Sequence, residues 1–261
     1  MDLFEFFEMY NEVAIAFSGG VDSAYLLYEA IENSALVKAY YVKSAFQPDF
    51  ELEDAKKIAE QLHADLEILE VDVLSEPSIT ANPENRCYHC KKHMFKQILN
   101  AAQRDGFSVV LDGTNASDKG SERPGMRVLH ELDIQSPLRD ADLTKEDVRR
   151  LSKEAGLFTW NKPAYSCLAT RIPTGTAITA EALRKTELAE QYLSSLGFSD
   201  FRVRLIASAS DTESGTANDI AKIQIPASQM ELLHTHREEI LAELSKYYTS
   251  VVLDLEVRHE S

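Results

Sequence analysis

The sequence predicts an α/β protein, a parallel sheet flanked by helices, followed by a smaller C-terminal α+β domain. Two observations carry that prediction. Short apolar runs alternate with segments of helical period through the first 155 residues, the pattern of repeated βα units, which implies a parallel sheet covered by helices on both faces. The texture then changes at 161–179, "NKPAYSCLATRIPTGTAIT", where two prolines, a glycine and many hydroxyls read as a loop. The expected division is the α/β domain over 1–160, a linker loop with Cys167 over 161–179 and a C-terminal α+β domain over 180–261.

In order, "VAIAF" (13–17) reads as a strand and runs into a helix reaching Ala30. "LVKAYYV" (36–42) is a second strand. "FELEDAKKIAEQLH" (50–63) is a helix with Leu52, Ala55, Ile58, Ala59 and Leu62 on one face. "LEILEV" (66–71) is a third strand, 92–104 a helix, and "SVVLDG" (108–113) a fourth strand. A further strand is expected near Ile134 to Leu138. "LTKEDVRRLSKEAG" (143–156) is a helix with a capping-box start at Thr144 and Asp147 and a glycine stop. Beyond the loop come a helix at 180–196, strands at 201–207 and 219–225, a helix at 227–245 and a strand at 249–257. No internal repeat is present.

The formal net charge of −16 opposes binding to nucleic acid or an anionic membrane. No apolar run approaches the roughly 18 residues of a membrane span, and the acidic N-terminal stretch lacks the basic start of a signal peptide. The cytoplasm is the expected compartment. In so acidic a chain the basic islands "RCYHCKKH" (86–93) and "FRVR" (201–204) stand out as places to receive a phosphate.

The stretch "AIAFSGGVDSAYLLY" (14–28) turns from strand to helix through two glycines. Gly19 and Gly20 can adopt backbone angles closed to other residues, which lets main-chain N–H groups approach an anion at the helix N-terminus. Ser18 and Ser23 add hydroxyls. Asp22 fits beside an anion if it holds a cation such as Mg²⁺ that bridges to phosphates. Val21 stands where a Walker A loop needs Lys, and the dinucleotide pattern G-x-G-x-x-G is absent.

The three cysteines, Cys87, Cys90 and Cys167, cannot close a disulfide framework among themselves. Cys167 lies in the loop with Lys162 and Arg171 near in sequence, whose charge would favour the nucleophilic thiolate. It also suits inert packing. The Cys87–Cys90 pair suits a zinc site with Cys167 and His89 or His93, a redox dithiol, or two thiolates of an iron–sulfur cluster with Cys167 the third.

The segment "SGGVDS" resembles the PP-loop of the ATP pyrophosphatase superfamily, of the adenine nucleotide alpha hydrolase type. There ATP is split between its α and β phosphates, the loop holds the departing pyrophosphate, and AMP activates the substrate. The ordered set "SGGVDS", "NRCYHCKK", "DGTNASD" (112–118), "RPGMR" (123–127), "SPLRD" (136–140), "KPAYSCLATR" and "FRVR", resuming in "DLE" (254–256), is similar to the LarE family of ATP-dependent sacrificial sulfur transferases. The resemblance implies adenylation of a carboxylate of pyridinium-3,5-biscarboxylic acid mononucleotide and its conversion to a thiocarboxylate, a step toward the nickel-pincer nucleotide. It implies a sulfur donor at the position of Cys167, either the cysteine itself, left as dehydroalanine, or a [4Fe-4S] cluster on Cys87, Cys90 and Cys167. It implies ATP and Mg²⁺ as cofactors, Arg202 and Arg204 on the substrate phosphate, Glu190 as an acidic active-site residue, and a homo-oligomer. Asp112 and Asn115 end a strand on the carboxyl side, where α/β sites form, and Tyr41 and Lys43 close the second strand in the neighbourhood expected for adenine. The loop 207–218 is longer than the family leads one to expect. A PP-loop tRNA thiolase and an amide-forming synthetase are the competing readings. The net charge opposes the first, and an essential Cys167 would oppose the second.

Overall fold

A computed structural model describes residues 1–33, 35–118, 124–207 and 219–258. The chain forms two compact units. One comprises Met1–Val73 and Asn85–Lys162, the other Leu74–Glu84 and Pro163–Ser261.

The first unit is a four-stranded parallel sheet of order β3-β2-β1-β4, with β1 Glu12–Ala16, β2 Leu36–Lys43, β3 Asp65–Glu70 and β4 Val110–Leu111. Its helices are α1 Leu3–Met9, α2 Val21–Glu32 and α3 Asp49–Gln61, then, after α4 Pro77–Thr80 of the second unit, α5 Arg86–Arg104, α6 Pro124–Glu131, α7 Pro137–Asp140 and α8 Lys145–Glu154. Val13 and Ile15 of β1 and Leu26 and Leu27 of α2 are fully buried, as expected of a strand covered on both faces and the helix packed on it. Because β1 pairs with both β2 and β4, the strand order reverses at β1, and the loop that leaves its carboxyl end sits where open α/β sheets bind ligands.

The second unit carries a three-stranded sheet of order β5-β6-β7, with β5 Arg202–Ala207, β6 Asp219–Gln224 and β7 Ser250–Leu253. The β5–β6 pair is antiparallel and the β6–β7 pair parallel. Its longer helices are α9 Ala180–Ser195, α10 Met230–Thr235 and α11 Arg237–Leu244. The segment containing α4 belongs here because its backbone pairs with the downstream loop. Gly175 N–H donates to Asn82 O at 2.8 Å and Ile178 N–H to Thr80 O at 2.8 Å.

The structure corrects the sequence reading in several places. The strand expected at 134–138 reduces to one parallel bridge between Leu111 and Gln135. Asp133 turns into the left-handed region (φ 54°) before it, and Pro137, which lacks an N–H, opens α7 after it. The helix expected from 92 begins at Arg86, which places Cys87 and Cys90 on one helical turn. The helix expected over 227–245 is interrupted at His236, which caps α10 and opens α11. The last strand spans four residues rather than the expected nine. Helix α1, whose capping box is formed by Asp2 and Glu5, has no counterpart in the sequence reading.

Candidate active site

The turn after β1 is built by its own hydroxyls. Ser23 Oγ accepts from Ser18 N–H at 3.2 Å, lies 3.1 Å from Ser18 Oγ and donates to Gly20 O at 3.3 Å. Gly19 adopts φ +68°, and a Cβ there would stand 2.9 Å from Ala55 of α3. Any side chain would therefore meet both strain and collision. Gly20 is the N-cap of α2, so the amides of Val21, Asp22 and Ser23 have no carbonyl one turn before them and open toward the loop. Gly113, after β4, comes so close that a Cβ would lie 2.9 Å from Ser23 N. These two glycines keep a backbone cradle open, a geometry that fits a polyphosphate at a helix N-terminus.

Asp22 is held from two sides. Its Oδ1 accepts from Asn115 Nδ2 at 3.1 Å and its Oδ2 from Lys145 Nζ at 2.5 Å. Asp112, 7 % exposed, organises the loop after β4. It accepts from Thr114 Oγ1 at 2.6 Å, Ser136 Oγ at 2.7 Å and Thr114 N–H at 3.3 Å, with Lys91 Nζ 3.7 Å away. Burial holds the Lys91 ammonium below the usual lysine range, against the opposing pull of Asp112 and Asp118. Tyr41 and Lys43 end β2. The Tyr41 hydroxyl is buried with no hydrogen-bond partner, and burial pushes its pKa up, with Glu51, Asp49 and Asp54 adding to the rise. Lys43 Nζ donates to Gln47 O at 2.8 Å and pairs with Asp49 at 2.7 Å. Lys162 pairs with Asp54 at 2.7 Å rather than standing as an uncommitted charge for a thiol.

Cys87 is exposed and Cys90 half-buried, one turn apart at the start of α5. Arg86 Nη2 lies 3.5 Å from Cys87 Sγ, and Cys90 Sγ 3.5 Å from Met94 Sδ. The start of α5 is pinned to α6 through Tyr88. Glu131 accepts from Tyr88 Oη, Lys92 Nζ and Arg127 Nε, while the Arg127 guanidinium lies 4.3 Å from the Tyr88 ring centre. Among the described residues no three His, Cys, Asp or Glu side chains gather as a metal site. The two helical thiols suit two ligands of a cluster. Arg123 of the "RPGMR" segment and residues 208–218 of the long loop lie outside the described residues.

In the second unit Cys167 is half-buried and caps a short 3₁₀ turn, Leu168–Arg171. Arg171 is fully buried. Its Nε and Nη2 grip Glu190 at 2.8 and 2.9 Å, and its Nη1 donates to Ser166 O at 2.7 Å and Thr170 Oγ1 at 2.8 Å. Glu190 also accepts from Tyr165 Oη at 2.6 Å and Val203 N–H at 2.9 Å. Two donors on each oxygen use the roughly four acceptor positions a carboxylate has. Arg202 Nη2 donates to Ala164 O at 3.1 Å and Arg204 Nη1 to Thr170 O at 2.7 Å, so alternate residues of β5 reach the loop on either side of Cys167. Burial, then Arg171 and Arg258, push both guanidiniums below the usual arginine range, a crowding that a bound anion would relieve. The Tyr165 ring lies 4.6 Å from the Arg171 guanidinium and 5.2 Å from that of Arg202.

Sequence reasoning did not reach Lys145, Tyr165, Arg258 or the Asp54–Lys162 pair. The Asp22–Lys145 contact spans 123 residues. The capping box around Lys145 was visible, but nothing in one sequence aims its side chain.

Comparison with known proteins joins these features. The family of the queuosine biosynthesis protein QueC matches residues 12–103, the stretch holding the glycine turn and both helical cysteines. A pyridinium-3,5-bisthiocarboxylic acid mononucleotide synthase of Lactiplantibacillus plantarum is 35 % identical over 222 residues, covering 84 % of this chain and 76 % of the relative. The chain belongs to that LarE family. An uncharacterized protein of Synechocystis is 35 % identical over 234 residues, 88 % of this chain and 82 % of the relative. A tRNA-specific 2-thiouridylase of Thermotoga maritima is 27 % identical over 196 residues, 58 % of this chain. Membership of the LarE family makes this chain an ATP-using sulfur transferase. No described helix is long and apolar enough to cross a membrane.

Proposed function

We propose that the chain adenylates a carboxylate of pyridinium-3,5-biscarboxylic acid mononucleotide and converts it to a thiocarboxylate. The observation that carries the reading is the cradle of Ser18, Gly19, Gly20 and Ser23 opening onto the N-terminus of α2 with Asp22 in its first turn. A substrate carboxylate oxygen attacks the α-phosphorus of ATP, and pyrophosphate leaves onto the loop amides. Asp22 suits Mg²⁺, a hard cation that prefers carboxylate oxygen. Asn115 fixes the orientation of that carboxylate. Tyr41, with its buried unpartnered hydroxyl, and Lys43 border the expected adenine site at the end of β2, and Asp112 shapes its β4 side.

Sulfur then arrives at the activated carbonyl. The Cys167 thiolate attacks it, AMP leaves, and a thioester forms. Loss of the cysteine Cα proton breaks the Cβ–S bond and leaves dehydroalanine and the thiocarboxylate. The spacing of Cys87 and Cys90 supports a second route, in which a [4Fe-4S] cluster on those residues and Cys167 would supply exogenous sulfide. Arg202 and Arg204 suit the substrate phosphate, two guanidiniums held mainly by carbonyl oxygens, with Asp200 4.0 Å from Arg202 and Gln224 on Arg204. Glu190, saturated by its four donors, orders the Cys167 loop through Arg171 and Tyr165 rather than moving a proton. The C-terminal segment 180–261 thereby serves as the substrate-binding domain, and a homo-oligomer is expected from the resemblance alone.

The test is release of AMP and pyrophosphate from ATP with the pyridinium substrate present. The wild-type chain releases both only with that substrate, and Asp22→Ala releases neither. Release without the substrate, or undiminished release by Asp22→Ala, overturns the reading. Product counts after anaerobic loading with iron and sulfide separate the routes. One product per chain, with the chain lighter by the mass of hydrogen sulfide, marks sacrifice; several products per chain mark the cluster.

A further inference from the structure

We propose that Lys145 is a further residue of the nucleotide site. It holds Asp22 before nucleotide binds, and its ammonium passes to the departing pyrophosphate once a cation takes Asp22. This rests on the pyrophosphatase reading of the glycine turn.

The first support is the pairing itself. Lys145 Nζ lies 2.5 Å from Asp22 Oδ2, the oxygen that Asn115 does not contact. The ammonium therefore stands where a cation bound to that oxygen would stand. The pair is also exchangeable. Both side chains are partly exposed, Lys145 by 35 % and Asp22 by 23 %, and ion pairs of that exposure are weak. A divalent cation competes for the same oxygen with twice the charge.

The second support is the contrast between a fixed root and a free stem. Lys145 opens α8, where Thr144 caps the helix and accepts from Asp147 N–H. Its own N–H donates to Ser117 Oγ at 2.9 Å, and Ala116 N–H donates to Leu143 O at 2.8 Å. The backbone is thus tied to the loop after β4, and only the four-carbon stem has to turn. A cation on Asp22 repels the ammonium, and the nearest strong negative charge is then the pyrophosphate held on the first amides of α2. Lysine suits that partner as a compact point charge.

Other lysines of this unit are less suited. Lys43 is committed to Asp49 and Gln47, and Lys162 to Asp54. Lys91 faces Asp112, whose oxygens are taken up by Thr114 and Ser136 in shaping the loop.

The test uses the full chain as wild type, Lys145→Met and Lys145→Arg, with Lys145→Gln in place of the methionine variant should that fail to fold. Calorimetry measures magnesium pyrophosphate and, separately, the magnesium complex of a non-hydrolysable ATP analogue; spin resonance follows the binding of Mn²⁺ alone. Losing one charge-assisted hydrogen bond weakens pyrophosphate about 10- to 100-fold in Lys145→Met. Lys145→Arg recovers most of that loss. Mn²⁺ binds the methionine variant as tightly as wild type or more tightly, because the carboxylate has lost its competitor. Unchanged pyrophosphate affinity in Lys145→Met, or Mn²⁺ binding weakened along with it, overturns the inference while leaving the nucleotide site in place. A wild-type chain that binds neither pyrophosphate nor analogue removes the nucleotide site and this inference with it.

Discussion

Replacing Glu190 by Ala tests what orders the Cys167 loop. Arg171 has a side-chain exposure of 0 % and Glu190 of 7 %, and they meet through two parallel hydrogen bonds. Removing the carboxylate strands the guanidinium in the interior and leaves Tyr165 Oη and Val203 N–H without their acceptor. Breaking a buried pair from one side costs about 3–5 kcal/mol. The carbonyl of Ser166 and the hydroxyl of Thr170 still receive Arg171 Nη1, which favours the lower end, about 3 kcal/mol. For a unit of this size that lowers the thermal midpoint by roughly 12 °C. Calorimetry and urea titration measure it directly. The double replacement Glu190→Leu with Arg171→Met leaves no stranded charge and loses less than the single variant. The Glu190→Gln variant keeps one carbonyl acceptor and should retain the wild-type shape of the pH–rate profile. A loss below about 1 kcal/mol in Glu190→Ala would refute the structural reasoning, and a basic or acidic limb missing from the Glu190→Gln profile would refute the positional role.

Gly113→Ala places a methyl group 2.9 Å from Ser23 N, so the loop after β4 must retreat from the glycine turn. Equilibrium dialysis should show ATP affinity reduced about tenfold or more for a displacement of this kind, and unchanged affinity would count against the cradle. The Glu131 cluster predicts acid sensitivity at the start of α5. Hydrogen bonds from Lys92, Tyr88 and Arg127 lower the Glu131 carboxyl from 4.5 to about 2. A depressed folded pKa means stability fully present above pH 4.5 and lost as pH falls toward 2. Urea midpoints for wild type and Glu131→Gln should therefore converge as pH falls across that window, and a constant difference would contradict the assignment.

The sheet was legible because short apolar runs recur between segments of helical period, and its central strand β1, buried along "VAI", reads as an uninterrupted apolar run. The turn after β1 was legible because the glycine at φ +68° and the two serines of its hydrogen-bond ring lie within six residues. Where the chain departs from the reading, a local break outweighs hydrophobic pattern. Asp133 and Pro137 stop a strand that Ile134 and Leu138 advertise, and His236 divides a run with helical composition throughout. The start of α5 was missed because "RCYHCKK" offers no apolar period to detect. The partners of Asp22 and Glu190 were illegible for a different reason. Lys145 and Arg171 are ordinary charged residues in sequence, and only the fold selects the carboxylate each one meets.

The most direct test of the central claim follows the fate of the substrate carboxylate in a Cys167→Ala chain supplied with ATP and the pyridinium mononucleotide. Mass spectrometry should find pyrophosphate released and the acyl-adenylate formed, with no thiocarboxylate, while the wild type carries the same mixture through to the sulfur product. Thiocarboxylate from the Cys167→Ala chain, or no adenylate from either chain, would contradict the account.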